Sequence, residues 1–181
     1  MAVTKQKKWT YEEYYRLNDE KRYEVLEGEL IEMSSPSSEH QIIIGNLSSM
    51  LWVFLKENNL GQMISSPIDV IFDENNTFQP DIVFISKENK QIIQDRGIFG
   101  SPDLVVEILS KSTEKKDRGL KFKAYEKFGV REYWLVDPRK KSIEVFVLEK
   151  SKFVSYNLVK TDDPLKSRVF PNLSVRYSEL I

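Results

Sequence analysis

The stretch "PDLVVEILSKST", residues 102–113, has the features of a strand inside a sheet. Its almost unbroken apolar run from Leu104 to Leu109 is typical of a strand covered on both faces. Glu107 interrupts this run, and a buried carboxylate is unfavourable unless its charge is compensated. We therefore expect Glu107 to meet a basic side chain or a metal ion, or to lie where the strand turns toward water.

The composition predicts a soluble cytoplasmic protein with a single domain over residues 1–181. An apolar fraction of 40% with 12% aromatic residues excludes a disordered chain. No apolar run has the length of a signal peptide or of a membrane span, so no membrane partner is expected. The net charge of −1 provides no overall attraction to nucleic acid.

The chain has no cysteine and a single histidine, His40, which limits its metal chemistry. Disulfides, thiolate sites and multi-histidine zinc sites are thereby excluded. Any metal must be bound mainly through oxygen, and oxygen ligands favour magnesium, manganese or calcium.

The patterns on either side of the central stretch predict an α/β (or α+β) domain, in which a central mixed β-sheet is flanked by helices. A main helix, capped at Ser38, precedes three strands; a second helix and another strand follow them. Extra β-hairpins are predicted at both ends. The segments, in that order, are "SSEHQIIIGNLSSMLWVFLKENNLG" (37–61), "QMISSPIDVIF" (62–72), "QPDIVFIS" (79–86), "PDLVVEILS" (102–110), "STEKKDRGLKFKAYEKFGV" (112–130), "REYWLVDP" (131–138), and the hairpins 22–34 and 142–159.

Two Pro-Asp dipeptides begin apolar strands, at Asp81 and Asp103. Asp103 lies about 13 Å along the same strand from Glu107, at ~3.3 Å per residue, which is too far for one ion. Asp81 begins the preceding strand, and sequential strands usually pair. We therefore expect Asp81 and Glu107 to meet across the sheet. The alternative for Asp81 is a simple turn position after proline.

Residues 111–131 hold eight basic and three acidic residues, so this segment forms either a solvated helix face or a phosphate-facing patch. Asp117, Lys121 and Tyr125 share one helical stripe, beside an apolar stripe that includes Leu120. Lys121 can then reach the sheet, whereas Lys116, Lys123 and Lys127 are expected on the outer face. For Glu107, the alternative to a metal site is a structural ion pair with Lys121.

The order helix, three strands, basic helix and strand resembles the PD-(D/E)XK nuclease superfamily, and more closely the Uma family of restriction endonuclease-like proteins. Several motifs spread over nearly the whole chain carry this resemblance. They are "YEVLEGELIEMSSPSSEH", "QPDIVFIS", "PDLVVEILSKST", "DRGLKFKAYEKFGVREYWLVDP" and "FPNLSVRYSEL". The resemblance implies a restriction endonuclease-like core.

The resemblance also implies site residues. Asp81 and Glu107 would be the ligands of Mg²⁺ or Mn²⁺. The lysine that usually stands two residues after the glutamate is Leu109 here, and the resemblance implies that Lys121 replaces it. Glu24 matches a glutamate of the family's first hairpin and would supply another oxygen, or it is an ordinary exposed carboxylate.

His40 lies in the first turn of the main helix, where the helix dipole disfavours imidazolium, so we expect it to be neutral. It would then accept a proton, bind metal or contact phosphate, or else only cap and pack. "REYWLVDP" is interpreted as structural, and Asp137 is not assigned to catalysis.

The predicted function is that of a metal-dependent endonuclease that hydrolyses DNA phosphodiester bonds. The alternative is an inactive nuclease fold that serves as a binding or assembly module, a hypothesis favoured by Leu109. A homodimer is predicted as a way to cut both strands, with residues 3–10 or the β-rich C-terminal third as its interface.

Overall fold

The computed structural model describes residues 7–181 of the chain, and residues 3–6 of the predicted interface segment lie outside them. Its helices are α1 (Tyr11–Tyr15), α2 (Ser38–Asn58), α3 (Glu114–Lys116) and α4 (Phe122–Phe128), with a π-helical segment (Asp117–Lys121) between the last two and 3₁₀ turns at Lys87–Ile92 and Tyr177–Glu179. Its strands are β1 (Tyr23–Leu26), β2 (Glu29–Glu32), β3 (Gly61–Ser65), β4 (Val70–Asp73), β5 (Asn76–Phe78), β6 (Ile82–Ser86), β7 (Ile93–Gln94), β8 (Gly97–Phe99), β9 (Leu104–Ile108), β10 (Glu132–Asp137), β11 (Ser142–Glu149) and β12 (Lys152–Lys160).

The central sheet has six strands in the order β12-β11-β10-β9-β6-β3. Strands β9 and β10 are parallel, and the other neighbours are antiparallel. Alternate residues of β9 enter two different cores: Leu104, Val106 and Ile108 pack on the side of α2, while Val105 packs on the opposite side. The strand is therefore covered on both faces, as its apolar run predicts.

The structure adds a second six-stranded mixed sheet, in the order β2-β1-β5-β4-β8-β7. The predicted N-terminal hairpin β1–β2 belongs to this second sheet, whereas the C-terminal hairpin β11–β12 extends the central one. The second sheet and α4 together cover the face of the central sheet that carries Val105. The site residues on this face therefore lie between two layers of structure.

Helix α2 begins one residue earlier than the sequence pattern suggested. Its N-cap is Ser37, whose hydroxyl accepts a hydrogen bond from the backbone N–H of His40 at 3.2 Å. A cap at this position still places His40 in the first turn of the helix.

The basic segment does not form one regular α-helix, because the π-helical turns at residues 117–121 change the register of its side chains. Leu120, expected in the apolar stripe, is 48% exposed, whereas Lys121 is buried. Helix α4 ends at Phe128, and the next residue, Gly129, has the left-handed φ of 83° that favours glycine after a helix. The wider turn is what points Lys121 inward.

A fully buried carboxylate in "REYWLVDP" attaches the C-terminal segment to the central sheet. Glu132 accepts a hydrogen bond from the indole of Trp134 at 2.6 Å. Its other oxygen accepts from the backbone N–H groups of Arg168 at 2.8 Å and Val169 at 3.0 Å. These contacts support the structural interpretation of this motif.

No helix in the described part of the chain has the length and apolar character that a membrane span requires. The cytoplasmic location and the single domain over residues 1–181 stay predictions.

We expect Glu132→Gln to lower the free energy of unfolding by about 1.5–3 kcal/mol, because an amide NH₂ would face groups that are themselves donors. Urea titration followed by tryptophan fluorescence would measure this. Glu149→Gln is the matched control, since Glu149 pairs with the exposed side chain of Arg168 and should cost only about 0–1 kcal/mol. Equal effects of the two changes would contradict the assigned role of Glu132.

Candidate active site

Asp81 and Glu107 come from neighbouring antiparallel strands, as the sequence predicts. Ile82 of β6 pairs with Val106 of β9, so continuing the register by one residue sets Asp81 opposite Glu107. Asp81 Oδ2 also accepts a hydrogen bond from the backbone N–H of Ile108 at 2.7 Å. The two carboxylates therefore lie side by side at one end of this strand pair.

The other Pro-Asp aspartate, Asp103, lies outside this arrangement. Its carboxylate accepts from the backbone N–H of Ser86 at 2.8 Å and pairs with Arg131 at 3.0 Å. Asp103 has a structural role at the opposite end of β9.

Lys121 lies among three carboxylates and is almost inaccessible to solvent. Its ammonium nitrogen is 2.6 Å from Glu24 Oε1, 2.8 Å from Glu107 Oε1 and 3.8 Å from Asp117 Oδ1. Burial alone would lower the pKa of Lys121, but the attraction of these carboxylates outweighs it and raises the pKa well above the usual value. Lys121 is therefore a cation at neutral pH, and it lies beside Glu107, as predicted from its place on the helix.

Glu24 is buried, so the alternative of an exposed hairpin carboxylate is wrong. It contacts Lys121, accepts from the backbone N–H of Gln79 at 3.0 Å, and pairs with Lys116 at 2.5 Å. Lys116 was expected on the outer face and instead points inward. The sequence could not show this, because the partner lies 92 residues away in the N-terminal hairpin.

His40 reaches the same place from the N-terminus of α2. Its Nε2 is 3.2 Å from Asp81 Oδ2, and no residue in the described range is hydrogen-bonded to its buried Nδ1. Burial lowers the pKa of His40, but the hydrogen bond and charge of Asp81 outweigh it, so the pKa is raised. The helix dipole alone predicts a neutral imidazole, whereas the contact with Asp81 shifts the pKa of His40 upward.

Asp117 is a buried carboxylate that sequence reasoning did not assign to the site. Asp117 lines the same cleft, and its buried Oδ1 has no hydrogen-bond partner within residues 7–181. Burial raises its pKa, partly offset by Lys121. The available signal was its spacing of four residues from Lys121, which indicated a shared helix face but no function.

Tyr125, on the same stripe, donates a hydrogen bond of 2.7 Å to Glu107 Oε1. Burial raises the pKa of Glu107 well above the usual value against the lowering effect of Lys121, and the negative charges of Asp117, Asp81 and Glu24 add to the rise.

The site holds more acidic groups than basic partners. Glu24, Glu107 and Asp117 share the two ammonium groups of Lys116 and Lys121, and Asp81 contacts His40. With all four acids ionised and His40 neutral, two negative charges would remain without a counter-ion among these groups, and the mutual repulsion of the acids helps to raise the pKa of Glu107 and of Asp117. An added divalent cation would balance that charge.

Three of these carboxylates, those of Asp81, Glu107 and Asp117, line a cleft of about 310 Å³, within the size range of ligand sites. Arg22, Lys111 and Lys116 also line it, together with serine hydroxyls from residues 34–37 and 110–112. Two of the predicted basic-patch residues have other roles, since Arg118 pairs with Glu144 and Arg131 pairs with Asp103. The basic segment is thus divided between the cleft, structural ion pairs and solvent.

The donor set fits a hard divalent cation. Within residues 7–181 no group of three or more histidine, aspartate or glutamate side chains is arranged to enclose a metal ion. Mg²⁺, however, is commonly held by one or two carboxylates with water and substrate phosphates completing its coordination. Asp81 and Glu107 supply two such carboxylates, and the described residues donate no hydrogen bond to Asp81 Oδ1 or Glu107 Oε2.

Leu109 occupies the place where the superfamily pattern has its lysine. It is buried in the core between β9 and α4, and its backbone N–H donates to the carbonyl oxygen of Val136 at 2.8 Å. The ammonium group near Glu107 comes from the π-helical segment instead.

We expect Lys121→Met to lower the free energy of unfolding at neutral pH by about 3–5 kcal/mol, because buried carboxylates lose their counter-ion. The loss should shrink as the pH falls toward 5, since those acids can then bind protons that the unfolded chain binds more weakly. Glu107→Gln should cost about 1 kcal/mol or less, because it removes an unfavourably buried charge and keeps the packing. Urea titrations at several pH values would test this, and a Glu107→Gln loss as large as that of Lys121→Met would indicate a purely structural ion pair.

Comparison with known proteins identifies the family and the fold. The Uma2 family profile, described as "Putative restriction endonuclease", matches residues 11–178. An uncharacterized protein of Synechocystis sp., sll1609, is 27% identical over 140 residues, which cover 76% of this chain and 79% of that protein. The crystal structure of a "putative nuclease belonging to DUF820" from Anabaena variabilis superposes with a TM-score of 0.77 at 20% identity, over 94% of this chain and 96% of that one. This likeness confirms the predicted restriction endonuclease-like fold, and the match over nearly the whole length shows that the chain belongs to the Uma2 family.

Proposed function

We propose that the protein is a divalent-metal-dependent endonuclease that hydrolyses DNA phosphodiester bonds. The observation that carries this proposal is the convergence of Asp81, Glu107 and Lys121 from three chain segments in one cleft. Membership of the Uma2 family supports DNA as the substrate. Homodimer formation stays a prediction.

Asp81 and Glu107 would hold Mg²⁺ or Mn²⁺, with Glu24 fixing the position of Lys121. When bound, the ion would supply Lewis-acid chemistry toward the phosphodiester. Arg22, Lys111 and Lys116 would hold the phosphate backbone by charge, a kind of contact that positions DNA without reading its sequence.

Lys121 would act as a hydrogen-bond donor rather than as a base, because its raised pKa keeps it protonated. Its role is to stabilise negative charge that develops on the phosphate. Asp117 Oδ1, the buried acceptor without a partner in the described residues, is our candidate for the group that takes the proton from the attacking water. The water oxygen bonds to phosphorus while one P–O ester bond breaks, and the leaving oxygen receives a proton.

Supercoiled plasmid incubated with Mg²⁺ or Mn²⁺ should be nicked or linearised. We expect Asp81→Asn, Glu107→Gln and Asp117→Asn each to slow cleavage by at least ~100-fold. Circular dichroism would verify that each variant is folded. Cleavage at the wild-type rate by folded variants would refute these assignments.

The alternative is an inactive nuclease fold that serves as a binding or assembly module. The observation that favours it is the neutralisation of Lys121 by Glu24 and Glu107, which makes a stable arrangement without any metal.

Isothermal calorimetry with Mn²⁺ separates the two functions. The nuclease hypothesis predicts heat of binding that Glu107→Gln abolishes. Glu12→Gln, a matched control at an exposed glutamate that pairs with Arg96, should leave that heat unchanged. Absence of binding to the folded wild-type protein would favour the inactive module.

A further inference from the structure

Helix α2 carries an apolar face that the rest of the described chain leaves uncovered. We call it the α2 surface, and it consists of Ile42, Gly45, Ser49, Trp52 and Val53, all exposed. Ile42, Trp52 and Val53 are 53%, 55% and 47% exposed. Neighbours along this set are three or four residues apart, which is about one helical turn, so the five residues form one stripe. This stripe lies opposite the buried stripe of Ile43, Leu47 and Leu51.

The clustering is unusual for a surface that meets only water. Single exposed apolar side chains are ordinary, but a contiguous group commonly marks an interaction site. Ile181 extends the group: it is 59% exposed and follows Leu180, whose carbonyl oxygen accepts a hydrogen bond from Asn46 of α2 at 3.2 Å.

Gly45 provides a second, independent observation. It lies in the interior of a 21-residue helix, where glycine is less favourable than alanine. Its φ is not positive, and outside its own stretch of helix backbone no atom of the described residues lies within 4 Å of where a Cβ would stand. Neither the backbone nor the packing within the chain requires glycine here, whereas close approach by another molecule would.

We propose that the α2 surface is the interface between two copies of this chain, with the two α2 helices packed antiparallel across a two-fold axis near Ser49. Such an interface is isologous, so the same patch must complement itself. Antiparallel packing centred between residues 48 and 49 sets Trp52 of one copy against Gly45 of the other. The large side chain thus meets the open position, and the two-fold axis generates this contact twice.

The ends of the helix complement each other in the same arrangement. Ile42 of one copy lies at the level of Leu55 of the other, beside an apolar groove that Met50, Val53, Phe54 and Leu173 line. Glu39, near the N-terminus of α2, comes level with both Lys56 and Glu57 of the second copy, so its charge neither selects nor opposes this pairing.

A second copy of this chain suits the surface because the exposed Trp52 and the open position at Gly45 lie on either side of Ser49, where a two-fold axis brings them together. This arrangement places the interface outside the β-rich C-terminal third that the sequence analysis considered. The exposed edge strand β12 carries lysines at both ends, Lys152 and Lys160, and antiparallel self-pairing about Tyr156 would set these like charges against each other.

Sedimentation equilibrium of the full chain between 1 and 100 μM tests the proposal. We expect a dimer, and we expect Gly45→Leu to weaken dimerisation by at least tenfold. Gly45→Leu should fold, because the position is open and leucine favours helix, and its thermal stability as a monomer would verify this. Leu158→Glu on β12 is the matched control at an equally exposed residue and should leave the dimer intact.

Trp52→Ala provides the second test. It should weaken the dimer as Gly45→Leu does, because it removes the large side chain that meets Gly45 of the other copy. A wild-type chain that is monomeric at 100 μM would overturn the proposal. So would a dimer that Leu158→Glu dissociates and Gly45→Leu does not, or one that binds equally well in all variants.

Discussion

The burial of the Lys121 ammonium group among Glu24, Glu107 and Asp117 is the constraint on which the site depends. A charge so far from water is tolerated only with close counter-charges, and these carboxylates are equally costly without it. The contact connects the N-terminal hairpin, the middle strand of the central sheet and the basic helix. Loss of Lys121 would leave these carboxylates without their shared counter-ion, so the folding of the three segments and the geometry of the cleft depend on the same ammonium group.

The position of Lys121 follows from a local irregularity. The π-helical turns at residues 117–121 shift the side-chain register, so that Leu120 turns outward and Lys121 turns inward. An ammonium group thereby reaches Glu107 from a helix, while Leu109 on the strand packs into the apolar core. What matters to phosphodiester chemistry is where the charge lies, and a helix can deliver it as well as a strand.

Helix α2 connects the cleft with the opposite surface of the molecule. Its N-terminus presents His40 to Asp81, its buried stripe packs on the central sheet, and its outer stripe is the α2 surface. In an antiparallel pair of these helices the two His40 residues would be ~25 Å apart along the axis, at 1.5 Å per residue. Dimer formation and the spacing of two clefts would then depend on the same rigid element.

The amino-acid pattern alone predicts the order of the core elements, the burial of β9 on both faces and the pairing that brings Asp81 to Glu107. These follow from periodicity and from the tendency of sequential strands to pair, which are local properties. Tertiary contacts were needed to show that a second sheet forms, that the buried Glu24 pairs with Lys116, and that Asp117 Oδ1 accepts no hydrogen bond from the described residues. They also raise the pKa of His40, through Asp81. Each of these features depends on contacts between residues far apart in the chain. A local sequence pattern does not show which distant side chain will supply a counter-charge or exclude water.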